Sequence, residues 1–242
     1  NRRQMNRLAL DPASVYECMI HNIHQLRKQV SRRPVILVGH SFGSLFALPA
    51  AYRQPDLYHS YIGIGQCFNP AENDHSVYQR ALKTAQSLGH RRMFQKFIKN
   101  GPPPYSRRRT GVYRLLYSYL EETAAHIRYR ANPIRDKWPV WDNSCTPARG
   151  SARGKRSFFR RIYPALLNHG IDIQRLDIPA WFLSGRYDFM NAGGLTERYF
   201  NALDSPEKRL FWFEHSGHQL VRQEPEKCRD LLHQCLKAAA RF

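Results

Sequence analysis

The pentapeptide Gly39-His40-Ser41-Phe42-Gly43 limits the possible folds more than any other segment of this 242-residue chain. It follows directly on Val35-Ile36-Leu37-Val38, a short apolar and mainly β-branched run after Pro34. Such a run suits a strand buried on both faces of a parallel sheet. The next residues, Ser44 to Tyr52, are rich in Ala and Leu and read as a helix in spite of Pro49. A G-x-S-x-G between a buried strand and a helix reads as a tight strand-to-helix turn. Its glycines leave room for the bend, which forces the Ser41 side chain out of the sheet. The Phe42 N–H then stands at a helix N-terminus, where the dipole favours an oxyanion. A serine hydroxyl is a weak nucleophile, so a base is expected within hydrogen-bond reach.

Three further strands are expected at Tyr61–Ile64, Pro179–Ser184 and Arg209–Phe213. Asp11-Pro12 opens a helix over 12–30 whose apolar stripe is Val15, Met19, Ile23, Leu26 and Val30. Leu195, Tyr199 and Leu203 recur at helical spacing over 194–203. A last helix over 224–240 places Cys228, Leu231, Leu232, Cys235 and Leu236 on one face. Alternating strands and helices predict an α/β fold, a parallel sheet with helices on both faces. From 68 to 176 the character changes to Tyr- and Arg-rich helical pieces, read as an insertion. The expected division is a core part over 1–67, a helical lid over 68–176 and a second core part over 177–242.

The partners of Ser41 should sit at later strand ends, the acid first and then the histidine. Asp188 lies just past the third strand and His218 just past the fourth. In that arrangement His218 takes the Ser41 proton and later protonates the leaving group, while Asp188 fixes the His218 tautomer. His215 is the nearby alternative for the base. His218 is preferred because it follows Ser216-Gly217 and precedes the last helix by a short loop.

The segments GHSFGS, GRYD and SGH followed by QEPEK resemble the α/β-hydrolase superfamily, with the proline-iminopeptidase-like hydrolases as the nearest branch. YIGIGQCFNPAEND and GPPPY are similar to a bacterial branch of that group. The resemblance covers residues 12–105 and 157–242. It implies a serine hydrolase with an inserted helical lid, no metal and no organic cofactor. Ser rather than Asp at position 41 argues against the epoxide-hydrolase and dehalogenase relatives. The family's sheet has eight strands, and this chain offers only the last four, the C-terminal half. No HGG-type segment, the family's second oxyanion donor, precedes Ser41; the only His-Gly is His169-Gly170. Two expectations follow: either an N-terminal part of the protein is missing from this chain, or the gene is truncated and its product inactive.

Composition narrows the partners. The net charge is +19, and residues 68–156 hold 18 Lys+Arg against 6 Asp+Glu, so the lid supplies +12 of it. Tyr105-Ser106-Arg107-Arg108-Arg109 interleaves aromatic and basic residues. No nucleic-acid motif accompanies it, so no nucleic-acid partner is expected, and an anion- or nucleic-acid-binding module remains the weaker alternative. No apolar run reaches the ~18 residues of a membrane span, and no membrane partner is expected. Five irregularly spaced cysteines form neither a disulfide framework nor a metal site and suit a reducing cytoplasm. The expected substrate is a small ester, amide or short peptide. An iminopeptidase-like enzyme must hold a substrate ammonium. Of the lid carboxylates Glu72, Asp74, Glu121, Glu122, Asp136 and Asp142, the pair Glu121-Glu122 is the candidate anchor. Tyr187 and Phe189, with Phe42 and Phe68, are candidate pocket walls. The competing reading is an inactive hydrolase fragment or a binding protein.

Overall fold

The computed structural model describes residues 12–106, 108–131, 166, 170–191 and 193–239. Four strands form one parallel sheet in chain order: β1 Val35–His40, β2 Tyr58–Ile64, β3 Ala180–Gly185 and β4 Lys208–Phe213. These are the four strands expected. Because all run the same way, their C-terminal ends lie along one edge of the sheet, where an open α/β sheet carries its site.

Side-chain alternation divides the core. Tyr61 of β2 and Phe182 of β3 face α2 (Ser44–Arg53) with Ala47, Leu48 and Ala51, and α6 (Gly193–Ala202) with Tyr199 and Phe200. Ile62, Trp181, Leu183 and Phe213 point the other way. They meet α7 (Leu220–Gln223) and α8 (Pro225–Ala239) through Leu220, Cys228, Leu231 and Cys235. Helices therefore cover both faces. The long connection from β2 to β3 contributes α3 (Pro70–Ser87), α4 (Arg91–Asn100) and α5 (Gly111–Ala131). Asn69 caps α3 by accepting a hydrogen bond from the Glu72 N–H at 3.1 Å. These helices have an apolar cluster of their own, centred on Val77, Phe97, Tyr113, Leu116 and Leu120. The basic segment 148–156, Asp136 and Asp142 lie outside the described residues.

Three expectations are corrected. β1 is not buried on both faces: Val35, Ile36 and Leu37 are half-buried and Val38 is 45% exposed. It is the edge strand of the described sheet, with β2 its only neighbour there. Helix α1 (Pro12–Val30) forms where expected but turns a different face inward. Ile20 and His24 are buried, whereas Met19, Leu26 and Val30 are exposed. Polar anchoring sets that rotation. His24 Nδ1 shares a 3.1 Å hydrogen bond with the Tyr58 hydroxyl, Arg27 Nε donates to the Leu57 carbonyl, and Arg53 grips Glu17 with Nη1 and Nη2. On α8, Leu236 falls off the buried face and is 55% exposed, one position past the buried Cys235.

Phe182 is fully buried among the rings of Tyr61, Phe68, Tyr199 and Phe200. Phe182→Ala should lower stability by about 3–5 kcal/mol in urea denaturation. Leu236→Ala, on the exposed side of α8, should shift it by less than about 0.5 kcal/mol.

Candidate active site

The turn after β1 bends through one residue. His40 keeps an extended backbone (φ −108°, ψ 129°), and Ser41 enters the left-handed region at φ +52°. A single 3₁₀ turn, Ser41–Gly43, then leads into α2. Gly39 is required by packing: a Cβ there would lie 2.8 Å from the Ser44 Cα and 2.9 Å from both the Ala47 Cβ and the Tyr61 hydroxyl. Gly43 is not required, since a Cβ would have nothing within 4 Å. The room ascribed to both glycines is thus needed at only one. Ser44 is fully buried; its hydroxyl donates to the Ser41 carbonyl at 2.5 Å and accepts from the Cys67 N–H at 2.9 Å.

Ser41 Oγ lies 2.7 Å from His218 Nε2, and His218 Nδ1 lies 2.9 Å from Asp188 Oδ2. A carboxylate only accepts, so Nδ1–H donates to Asp188 and Nε2 is left to accept the Ser41 proton. Asp188 is buried, and its second oxygen accepts the N–H groups of Met190 and Asn191, each at 2.9 Å. His218 is buried as well. Burial pulls its pKa down, but the Asp188 charge and hydrogen bond, with a further pull from Glu121, leave it above the ordinary histidine value. The His40 ring stacks on His218 with centroids 5.4 Å apart. His215 is exposed and its backbone N–H donates to Glu224, and it is His218 that meets Ser41.

Several supporting residues went unrecognised in the sequence. Gly65 has φ +51°, and a Cβ there would lie 3.2 Å from Asp188 Oδ2 and 3.3 Å from the His218 ring. Its signal was a glycine just past a buried strand. The Gly65 carbonyl accepts from the Asn191 side chain, which ties the loop after β2 to the loop after β3. Gly185 lets the Ser216-Gly217 backbone pass against it; a Cβ would stand 2.6 Å from the Ser216 carbonyl oxygen. Buried Glu224 accepts from the His215 N–H at 3.1 Å and the Ser216 hydroxyl at 2.5 Å, and Gln223 accepts from the Gly217 N–H at 2.8 Å. These two side chains hold the loop that carries His218.

The remaining candidates divide. Half-buried Phe189 packs against the α3–α5 cluster beneath the Arg80 guanidinium, 4.7 Å from its ring centre. Tyr187 is half-buried beside Asp188, its N–H donating to the Ser216 carbonyl. Phe42 packs edge-on against Phe46. Glu121 is half-buried with its charge felt at His218, whereas Glu122 is exposed. Adjacent helical residues point about 100° apart, so the pair cannot act as one anchor. A further carboxylate among these helices is Asp74 of α3. It is 2% exposed and accepts from the Tyr117 hydroxyl at 2.5 Å, one helical turn before Glu121 on α5. Its charge is felt at Cys67, whose thiol is pushed up to about 12 by burial first and then by Asp74 and Asp188. Among the described residues, no group of three or more His, Cys, Asp or Glu side chains could hold a metal ion.

A family profile described as serine aminopeptidase, S33, matches residues 13–226. The chain belongs to that family. The chain is also similar to the probable aminopeptidase YbaC of Bacillus subtilis (strain 168), at 28% identity over 207 residues, 81% of this chain and 63% of the relative. The chain therefore spans less than two thirds of that relative's length. Among solved structures, the esterase EaEST of Exiguobacterium antarcticum superposes with a TM-score of 0.57 at 16% identity, covering 92% of this chain and 74% of that one. A proline iminopeptidase-related protein of Thermus thermophilus superposes at 0.55 with 17% identity, covering 96% and 74%. At such identities the likeness carries the fold, which is that of the α/β-hydrolases.

Glu224→Ala would leave the buried Ser216 hydroxyl and the His215 N–H without their acceptor. It should cost about 1–3 kcal/mol in urea denaturation.

Proposed function

We propose that this S33-family chain is an aminopeptidase-like serine hydrolase, cleaving an ester or amide bond of a small amine-bearing substrate through an acyl-enzyme on Ser41. The observation that carries the reading is the continuous relay from Ser41 Oγ through both nitrogens of His218 to the buried Asp188 carboxylate. Ser41 Oγ attacks the carbonyl carbon as its proton passes to His218 Nε2. The Phe42 N–H receives the developing oxyanion. The tetrahedral intermediate collapses by breaking the bond to the leaving group, which takes the proton from Nε2. A water molecule, deprotonated by the neutral His218, then releases the acid and regenerates Ser41. Asp188 stays ionised and stabilises the imidazolium. No step calls on a metal or an organic cofactor.

The substrate ammonium falls to Glu121, with Asp74 behind it, and Phe189 and Tyr187 border the pocket. In this reading residues 68–176 act as the lid over the two core parts. The described cysteines, Cys18, Cys67, Cys228 and Cys235, are free thiols, which suits a reducing compartment such as the cytoplasm. No helix among the described residues is long and apolar enough to cross a membrane.

The second reading is a binding protein or fragment without activity. It is favoured by one observation: among the described residues β1 is the apolar edge strand of the sheet, with Val38 45% exposed. A fluorophosphonate probe separates the two: the hydrolase reading expects covalent labelling of Ser41, abolished in Ser41→Ala, and hydrolysis of an amino-acid naphthylamide reduced by about 10⁴-fold or more. Absence of labelling on the wild-type chain would favour the binding protein.

The pH dependence has a definite sign. His218 must be neutral to accept the serine proton, and its pKa is raised. Activity should therefore fall on acidification with a midpoint above 6.5. Glu121→Gln removes one of the negative charges holding that pKa up, so the acid limb of kcat/KM should move to lower pH. The same variant should raise KM for the free-amine substrate and leave KM for its N-acetyl analogue unchanged.

A further inference from the structure

From His75 to Leu120 the chain carries no Asp or Glu at all, while it carries Arg80, Lys83, Arg91, Arg92, Lys96, Lys99, Arg107, Arg108, Arg109 and Arg114. Elsewhere the cations are interleaved with acids and paired to them, as in Arg53–Glu17, Arg186–Glu214, Arg198–Glu72 and Arg209–Glu207. Among the described residues, every salt bridge lies outside 75–120.

Helix α4 concentrates this charge on one side. At 100° per residue, Met93, Phe94 and Phe97 fall together and pack into the lid cluster, with Phe97 fully buried. Arg92, Gln95, Lys96 and Lys99 occupy the opposite arc with Arg91 beside them, all exposed. Arg109 joins the end of this arc: it donates to the carbonyl of Asn100 and to its side chain, at 2.8 and 3.0 Å, and packs over the Tyr105 ring. Ile98, at the border of the arc on the side of Arg91 and Gln95, is 50% exposed.

The geometry points to the outer face of α4 as a docking surface for an anionic phospholipid bilayer. Two features select a bilayer over a nucleic acid. The aromatic residues of the segment turn inward, Tyr105 at 4% and Phe97 at 0% exposure, so the cations have no exposed ring beside them on which bases could stack. An exposed aliphatic side chain on the flank of a cationic helix face instead suits a headgroup layer, which takes the cations electrostatically and the apolar tip by burial. A surface contact of this kind needs no spanning segment, so it departs from the expectation of no membrane partner while agreeing with the absence of a spanning helix among the described residues. It stands independently of the hydrolase reading.

Sedimentation of the full chain with vesicles tests it, comparing phosphatidylcholine alone with phosphatidylcholine containing phosphatidylglycerol, at about 150 mM salt, where exposed charges are screened beyond about 8 Å. Binding should require the anionic lipid. The triple variant Arg92→Glu, Lys96→Glu, Lys99→Glu should lower the partition coefficient by about 100-fold. A control triple of equal charge change at other exposed sites, Lys28→Glu, Arg32→Glu, Arg33→Glu, should lower it by less than tenfold. Ile98→Ser should weaken binding several-fold at unchanged charge. Equal losses in the two triples would make the effect one of net charge alone and overturn the proposal. So would absence of binding to anionic vesicles, or single-stranded DNA binding that is lost in the α4 triple while vesicle binding persists.

Discussion

Everything in the site hangs on the left-handed backbone of Ser41. A non-glycine residue held there costs about 1–3 kcal/mol and persists only if its surroundings leave no alternative. Here they do not. The buried Ser44 hydroxyl holds the Ser41 carbonyl on one side and the Cys67 N–H on the other. Gly39 allows Ser44, Ala47 and the Tyr61 hydroxyl to close on the turn. Beyond Cys67 the same loop carries Gly65, whose carbonyl is held by Asn191 of the loop that presents Asp188. The elbow, the end of β2 and the acid loop are thus successive links of one hydrogen-bonded chain. A shift at any link would move Ser41 Oγ away from His218.

The histidine is secured from a different direction. Its loop is laid against Gly185 and pinned by Gln223 and Glu224, the residues just before α8. Burial alone would favour a neutral imidazole, but the carboxylates around His218 favour the charged form, and they prevail. In the proposed reaction that balance serves the imidazolium formed at each proton transfer. It also makes the residue sensitive to acidification, since a base must lose its proton to work.

Ser41, Asp188 and His218 could be placed together from the sequence because each lies in the turn or loop that follows a short apolar strand, and a parallel sheet brings such strand ends to one edge. The supporting residues were not legible for a common reason: their roles depend on what approaches them from distant segments. Gly65 is an ordinary strand-end glycine until Asp188 and His218 stand over it. Glu224 reads as a helix-start acid until Ser216 reaches it. The face of α1 failed similarly: apolar spacing selected Met19, Leu26 and Val30, whereas polar contacts to Tyr58 and Leu57 turned Ile20 and His24 inward. The edge position of β1 explains the exposure of Val38, since apolar content alone cannot tell an edge strand from a central one.

Helices α3–α5 are two-sided in charge as well as in polarity. Inward, Asp74 and Glu121 bring negative charge toward the site. Outward, the charged side chains of α4 are all cations. Internal stability does not account for the second arrangement. Like charges repel at helical spacings, and the apolar side of α4, anchored by Phe97, already fixes the helix without them. Exposed ion pairs elsewhere on the molecule show how the chain balances charge when balance is what it needs, as at Arg186–Glu214 and Arg198–Glu72. A face that forgoes such pairing over a whole helix is better explained by the charge of what it meets than by the fold it belongs to.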